Sequence, residues 1–171
     1  IRHSKVSRGT SRTGILRGDS ISSMLNRLTA LPDSIDFDHL PIPFACVAVD
    51  VKQLKEVVLK HGILSQAMRA SMAIPALFKP VHMDNMVLVD GGALNNLPVD
   101  VVKQMGADVV IAIDLTQHKR KDKSDKDNIE LRGILGLIGW LKHRPDRTKY
   151  NRNRKLCDVY INPLLTGFDA L

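Results

Sequence analysis

The sequence contains no apolar run as long as the roughly 18 residues that a bilayer-spanning helix needs, and its composition, 44% hydrophobic and 25% charged over 171 residues, is that of an ordinary globular chain. Aromatic side chains are scarce. One tryptophan, two tyrosines and four phenylalanines offer little surface for stacking on bases, so no nucleic-acid partner is expected. Only two cysteines occur, Cys46 and Cys157; they lie far apart, show no C-x-x-C spacing, and are expected as free thiols in or beside apolar strands. The six histidines form no H-x-x-x-H pair, which argues against a protein-ligated zinc site. No G-x-x-x-x-G-K-[ST] loop and no G-x-G-x-x-G helix opening is present, so the phosphate cradles of nucleotide enzymes are missing. No metal or organic cofactor is expected. Also absent is G-x-S-x-G, the strand-to-helix turn that exposes a nucleophilic serine: Gly18-Asp19-Ser20-Ile21-Ser22 lacks the final glycine.

The net charge of +7 is unevenly distributed. Residues 117–155 carry thirteen Lys or Arg against five Asp or Glu, whereas residues 19–116 carry seven against eleven. The stretch QHKRKDKSDKDN, 117–128, reads as a mobile charged loop. Clustered positive charge of this kind suits a solvated surface or an anionic partner. If the partner is an anionic membrane surface, Arg132, Lys142, Arg144, Arg147 and Lys149 are the side chains expected to meet head groups, each worth roughly 1 kcal/mol near the surface.

Between these basic stretches the chain alternates strand-like and helix-like runs. A helix is expected over SISSMLNRLTAL, 20–31, with Asp19 or Ser20 as its N-cap. Phe44–Val49 is apolar on both faces, as a strand covered on both sides requires. A further strand is expected over Glu56–Leu59, and a helix over ILSQAMRASMA, 63–73, stopped before Pro75. Asp84-Asn85 marks a tight turn, followed by the strand MVLVD, 86–90. Pro98 opens the helix VDVVKQM and Gly106 closes it with a left-handed cap. ADVVIAIDL, 107–115, is another apolar strand, so that 86–115 reads as a β-α-β unit with parallel strands. IELRGILGLIGWLKH reads as a helix, RPDRTKYNRNRK as a basic connector, and CDVYINP as a last strand. The class expected is α/β, with a mostly parallel sheet covered on both sides.

The chemistry is concentrated in ASMAIPALFKPVHMDNMVLVDGGALNNLPV, 70–99. Asp90 ends an apolar strand, the place where open α/β sheets bind ligands. Gly91 and Gly92 let the chain turn sharply without crowding the carboxylate, while Asn95 and Asn96 are expected to bond the turn backbone. This run resembles the aspartate block of the patatin-like phospholipases, D-G-G followed by N-x-P. The preceding A-S-x-A-x-P-x-x-F-x-P-V segment (Ala70–Val81) and the following G-A-D-x-V-I-A-I-D strand (Gly106–Asp114) are similar to that family too.

The resemblance implies a three-layer α/β/α patatin-like fold, with residues 1–171 forming the C-terminal portion of one catalytic domain, incomplete at its amino end. It also implies hydrolysis of lipid esters by a Ser–Asp dyad, in which the residue matching Asp90 deprotonates an upstream serine without a histidine, and a glycine-rich loop stabilises the oxyanion. The serine and that loop are not in these 171 residues. Ser71 falls inside an expected helix and reads as a packing residue. Three alternatives remain open at this level. They are a non-catalytic lipid- or partner-binding module, a Ser–His–Asp hydrolase using His118, and a magnesium-dependent phosphate enzyme using the strand-end acids Asp90 and Asp114. Whether the protein is cytoplasmic or exported is left open.

Overall fold

The computed structural model describes residues 16–31, 33–75, 77–116 and 147–165. The charged stretch 117–128, His118 and the apolar helix expected over 129–143 lie outside them. The first element is helix α1, Asp19–Thr29. Its N-cap is Gly18, in the left-handed region at φ 79°, while Asp19 occupies the first turn, where its charge suits the helix dipole. The segment before α1 is tied down by Leu16, which bonds Leu77 and Lys79 through its backbone at 2.8 and 3.1 Å.

The centre of the molecule is strand β2, Cys46–Asp50, every residue of which is buried. The two-residue strand β1, Ile35–Asp36, precedes it and pairs with another two-residue strand, β4, His61–Gly62. On one flank β2 pairs with β3, Lys55–Leu59, and on the other with β6, Met86–Asp90, in the register Ala48↔Asp90, Val49↔Val89 and Asp50↔Leu88. Strand β5, Val81–Met83, completes the sheet beside β6, giving the order β3-β2-β6-β5. Helix α2, Leu64–Ser71, buries Leu64, Ala67 and Ala70 in the same cluster as Phe37, Cys46, Ala48 and Leu88. Small alanines on the inner face of α2 let helix and sheet approach closely.

All three pairings in this sheet are antiparallel, which corrects the expectation of a mostly parallel sheet. For the outer two pairings, β2 with β3 and β5 with β6, the reason is connection length. Parallel neighbours need a crossover of about a dozen residues or more, whereas β2 and β3 are separated only by residues 51–54, and β5 and β6 only by Asp84-Asn85, both at positive φ (46° and 60°). Such left-handed pairs match the twist of a hairpin. The continuous apolar character of β2 and β6 reflects their interior position in the sheet, not a parallel arrangement.

A second unit follows β6. Helix α3, Val99–Gln104, leads through Gly106, at φ 91°, to strand β7, Ile111–Ile113. Strands β6 and β7 belong to different sheets, so the expected β-α-β unit does not close on itself. Strand β7 pairs in parallel with β8, Val159–Ile161. Between them, the segment expected as a basic connector contains a helix, α4, Arg147–Leu156. Apolar periodicity does not reveal this helix because its inward face is polar: Lys149, Tyr150 and Asn153 occupy it, at helical spacing. A small apolar cluster of Leu97, Val99, Val110 and Ala112, flanked by Tyr150 and Tyr160, joins the elements of this unit. The architecture is α/β, as expected from the sequence.

Candidate active site

Asp90 is the last residue of β6 and the cap of a short 3-10 turn, Gly91–Ala93. Its backbone N–H donates to the Ala73 carbonyl at 3.0 Å, just beyond the end of α2. Its carboxylate Oδ1 accepts the Gly92 N–H at 2.7 Å. The residue is half-buried, and among the described residues it makes no ion pair. Burial pushes its pKa above the ordinary 3.8, opposed by the Gly92 hydrogen bond. A carboxylate held in this way is oriented by one oxygen, is a stronger base than its free counterpart, and has its second oxygen available.

The two glycines that follow are required for space. Neither has a positive φ, so the freedom of backbone angle expected from the sequence is not what they supply. A Cβ on Gly91 would stand 2.3 Å from the Val47 carbonyl oxygen and 2.5 Å from its carbon, and this backbone belongs to the central strand. A Cβ on Gly92 would meet Asn96 Oδ1 at 2.7 Å and Asp90 Oδ1 at 3.0 Å. Gly91 thus lets the turn lie against β2, and Gly92 keeps methyl bulk off the carboxylate. Ser71 donates its hydroxyl to the same Val47 carbonyl at 2.7 Å, so it is committed to packing, in line with the reading from sequence.

Behind the turn lies a polar network that sequence reasoning missed. Asn95 is buried, and its side chain turns away from the turn backbone expected to bind it. Its amide donates to Glu56 Oε1 at 2.9 Å and Asp100 Oδ1 at 3.0 Å. Fully buried Asn153 of α4 donates to Asn95 Oδ1, the Leu97 carbonyl and Asp100 Oδ1 at 3.2, 2.9 and 2.8 Å. Lys149 pairs with Glu56 and, at 3.1 Å, with Asp100. Burial alone would raise the Asp100 carboxyl, but the bonds from Asn95, Lys149 and Asn153 outweigh it and hold it below its ordinary value. The Asn95 backbone N–H returns to the Gly91 carbonyl at 2.9 Å, so this network braces the turn that carries Asp90. Lys149 is therefore an internal brace, which corrects its expected place among head-group contacts. Of the other cations in that group, Arg147 opens α4, and Arg132, Lys142 and Arg144 lie outside the described residues. The signal available in the sequence was the K-x-x-x-N spacing of Lys149 and Asn153 in a basic helix, which carries no apolar stripe to draw attention.

Asn96 faces the other way, with its amide 3.1 Å from Thr116 Oγ1. Thr116 in turn donates its N–H to Asp114 Oδ1 at 2.8 Å. Asp114, the second strand-end acid, is buried and accepts hydroxyl bonds at Oδ2 from Tyr150 and, at 2.6 Å, from Tyr160. Among the described residues no group of three or more His, Cys, Asp or Glu comes together to hold a metal ion. Both cysteines are free; Cys46 is buried, and burial pushes its thiol up to about 12, so it is unreactive at neutral pH.

A carboxylate at a strand end, two glycines placed for close approach and an asparagine-braced turn together present one oriented, half-buried acid. The family model for patatin-like phospholipase matches residues 2–103; the chain belongs to this family. An uncharacterised NTE family protein of Mycobacterium bovis is 37% identical over 105 residues, covering 61% of this chain and 28% of that protein. An NTE family protein of Mycobacterium tuberculosis is 42% identical over 78 residues, 46% of this chain and 13% of the relative. Patatin-like phospholipase domain-containing protein 7 of Rattus norvegicus is 37% identical over 93 residues, 53% of this chain and 7% of its own. The chain thus spans less than a third of the length of these relatives.

Proposed function

We propose that this chain supplies the general base, Asp90, of a lipid acyl hydrolase, and that the serine nucleophile is carried on polypeptide outside these 171 residues. The observation that supports this most directly is the state of Asp90. It is half-buried, anchored through one oxygen by Gly92, raised in basicity by burial, and without an ion-pair partner among the described residues. In the proposed reaction the serine hydroxyl gives its proton to the Asp90 carboxylate while its oxygen attacks the acyl carbonyl carbon of a lipid ester. Collapse of the tetrahedral intermediate breaks the ester bond, and the leaving alkoxide takes the proton back. Water, deprotonated by the same carboxylate, then attacks the acyl carbon; the bond to serine breaks, the fatty acid is released, and the serine oxygen regains its proton from Asp90. Gly91 and Gly92 shape the turn that holds the base.

The same reading makes these residues the C-terminal portion of one catalytic domain. Supporting it, one face of the β7–β8 pair is uncovered by the described residues: Ile111 and Ile113 are 61% exposed and Val159 and Ile161 are 44% exposed. An apolar sheet face of this kind suits burial against further structure. The absence of G-x-S-x-G from the sequence also favours a second reading, a lipid- or partner-binding module without turnover.

Hydrolysis of a chromogenic short-chain ester by the protein at its natural length separates these readings. Turnover that persists within about twofold in His118→Ala supports the dyad. Turnover abolished by that substitution assigns the base to histidine, and no turnover in the unaltered protein favours the binding module.

A further inference from the structure

Arg69 is a buried cation that the Asp90 site does not use. It lies on α2 at 5% exposure. Its Nη2 donates to the Arg17 and Lys79 carbonyls at 3.1 and 3.3 Å, and its guanidinium lies 5.0 Å from the centre of the Phe78 ring. Gly18 leaves room for it, since a Cβ there would stand 2.5 Å from Nη2. Yet among the described residues Nη1 has no hydrogen-bond partner, and neither does the hydroxyl of Ser65, one turn earlier on the helix and 2% exposed. Asp19 contributes a favourable charge at a distance, but among the described residues no carboxylate pairs with Arg69. Buried donors and a buried charge left incomplete are costly, and they are retained where something completes them.

The residues that carry them, Arg69 and Ser65, both line one cavity of about 310 Å³, between α1, α2 and the segment entering β5. Arg17 and Lys79 also line it, with Asn26 and Gln66 adding neutral polar groups, and no acid is among the described residues on its wall. We propose that this cavity is a binding site for an anion of the phosphate class, with Arg69 Nη1 and Ser65 Oγ as its inner donors and the Arg17 and Lys79 side chains supplying charge at its mouth. With Nη2 already spent on two carbonyls, the end-on two-pronged grip that guanidinium uses on a planar carboxylate is not available. Single donors from separate positions suit a tetrahedral group of several oxygens better. The ligand is either a soluble phosphate or the phosphodiester of a lipid head group. Both present the same oxygens to the site, and the proposal stands apart from the esterase reading because it concerns binding alone.

The experiment is a thermal-melting titration of the protein at its natural length, at constant ionic strength, with three probes: inorganic phosphate, glycerol 3-phosphate, and phosphatidylglycerol vesicles compared with uncharged glycolipid vesicles. A saturable rise of about 2–4 °C over matched chloride is expected from at least one phosphate probe. A response to the soluble probes identifies free phosphate as the source, and a response confined to phosphatidylglycerol identifies the head group. Ser65→Ala removes a hydroxyl without a partner, so it should melt at or above the unaltered protein when no phosphate is present, yet bind the probe about tenfold more weakly. Lys79→Glu changes an exposed side chain and should weaken binding at least as much. No saturable response to any phosphate probe overturns the proposal, as does binding in both variants equal to that of the unaltered protein. Neither readout requires turnover, so failure here and failure of the esterase reading are distinguishable.

Discussion

Asp90 and Asp114 occupy equivalent positions in sequence, each ending an apolar run (VLVD and IAID), and only a hydrogen-bond bridge through Asn96 and Thr116 separates their turns. Their surroundings have opposite effects. Among the described residues the Asp90 carboxylate accepts one hydrogen bond, from Gly92 at 2.7 Å, and burial leaves its pKa raised. At Asp114 burial acts in the same upward direction but is outweighed by the hydroxyls of Tyr150 and Tyr160 and the N–H of Thr116, which bring it to about 2. One environment leaves a carboxylate unsatisfied and basic, and the other saturates it and fixes its charge. A strand-end acid is therefore marked as a candidate base by what fails to bind it, and that property is invisible in a short motif.

The comparison breaks most sharply under neutralisation. Asp90→Asn is expected to lower ester hydrolysis by about 10²–10⁴-fold, the range of general-base catalysis, whereas Asp114→Asn should keep turnover within a few-fold. Stability should move the opposite way. Because the folded pKa of Asp90 lies above its ordinary value, folding binds that proton more tightly. Stability therefore falls as pH rises through the folded pKa, and the ionised form carries the full penalty once pH is above it. Asparagine removes the charge and keeps an oxygen for the Gly92 N–H. Asp90→Asn should thus melt at or above the unaltered protein at neutral pH, and a lower melting temperature with intact turnover would reverse the assignment.

Gly91→Ala comes next. Its added Cβ meets backbone of the central strand at 2.3 Å, which can only be relieved by moving the turn or β2, so a loss of about 3 kcal/mol is expected in urea unfolding. Gly92→Ala meets the Asn96 side chain first, at 2.7 Å, and that side chain can yield. A loss of about 1 kcal/mol is expected, with turnover falling further than stability because the same Cβ presses on Asp90 Oδ1. Equal stability losses in the two variants would remove the distinction drawn between them.

The Asp90 neighbourhood was legible because strand, glycine pair and turn are consecutive in the chain. MVLVD was expected over 86–90 and is β6 over those residues, the helix over 63–73 is α2, and Gly106 is left-handed as expected. Strand direction was misread, because an apolar run states burial on both faces but not the orientation of its neighbours. The short connections 51–54 and 84–85 carried that information. The brace formed by Lys149, Asn153, Asn95 and Asp100 was not legible at all. It joins residues some fifty positions apart through side chains that composition assigns to the surface, and the helix presenting them lacks an apolar stripe.

Asp114 should reveal itself in acid. Its pKa of about 2 lies below the ordinary 3.8, so its contribution is present in full above the ordinary value and is lost as pH falls through about 2. The shift corresponds to roughly 2 kcal/mol. Urea unfolding of Asp114→Asn between pH 5 and 3 should show a flatter acid limb than the unaltered protein, and an identical slope would mean that this carboxylate is not held as described.

The smallest effect isolates one donor. Tyr160→Phe removes the hydroxyl that reaches Asp114 Oδ2 at 2.6 Å but keeps the ring on which the Arg154 guanidinium lies, 4.4 Å from its centre. Tyr150 and Thr116 still bind the carboxylate, so a loss of about 1 kcal/mol is expected in place of collapse, with the acid limb shifted toward higher pH. Hydrolysis should be unchanged within about twofold, since the bridge from Thr116 to Asn96 remains in place. A large fall in turnover with little change in stability would instead connect the two acids functionally, and the division between a reactive and a structural carboxylate would have to be redrawn along that bridge.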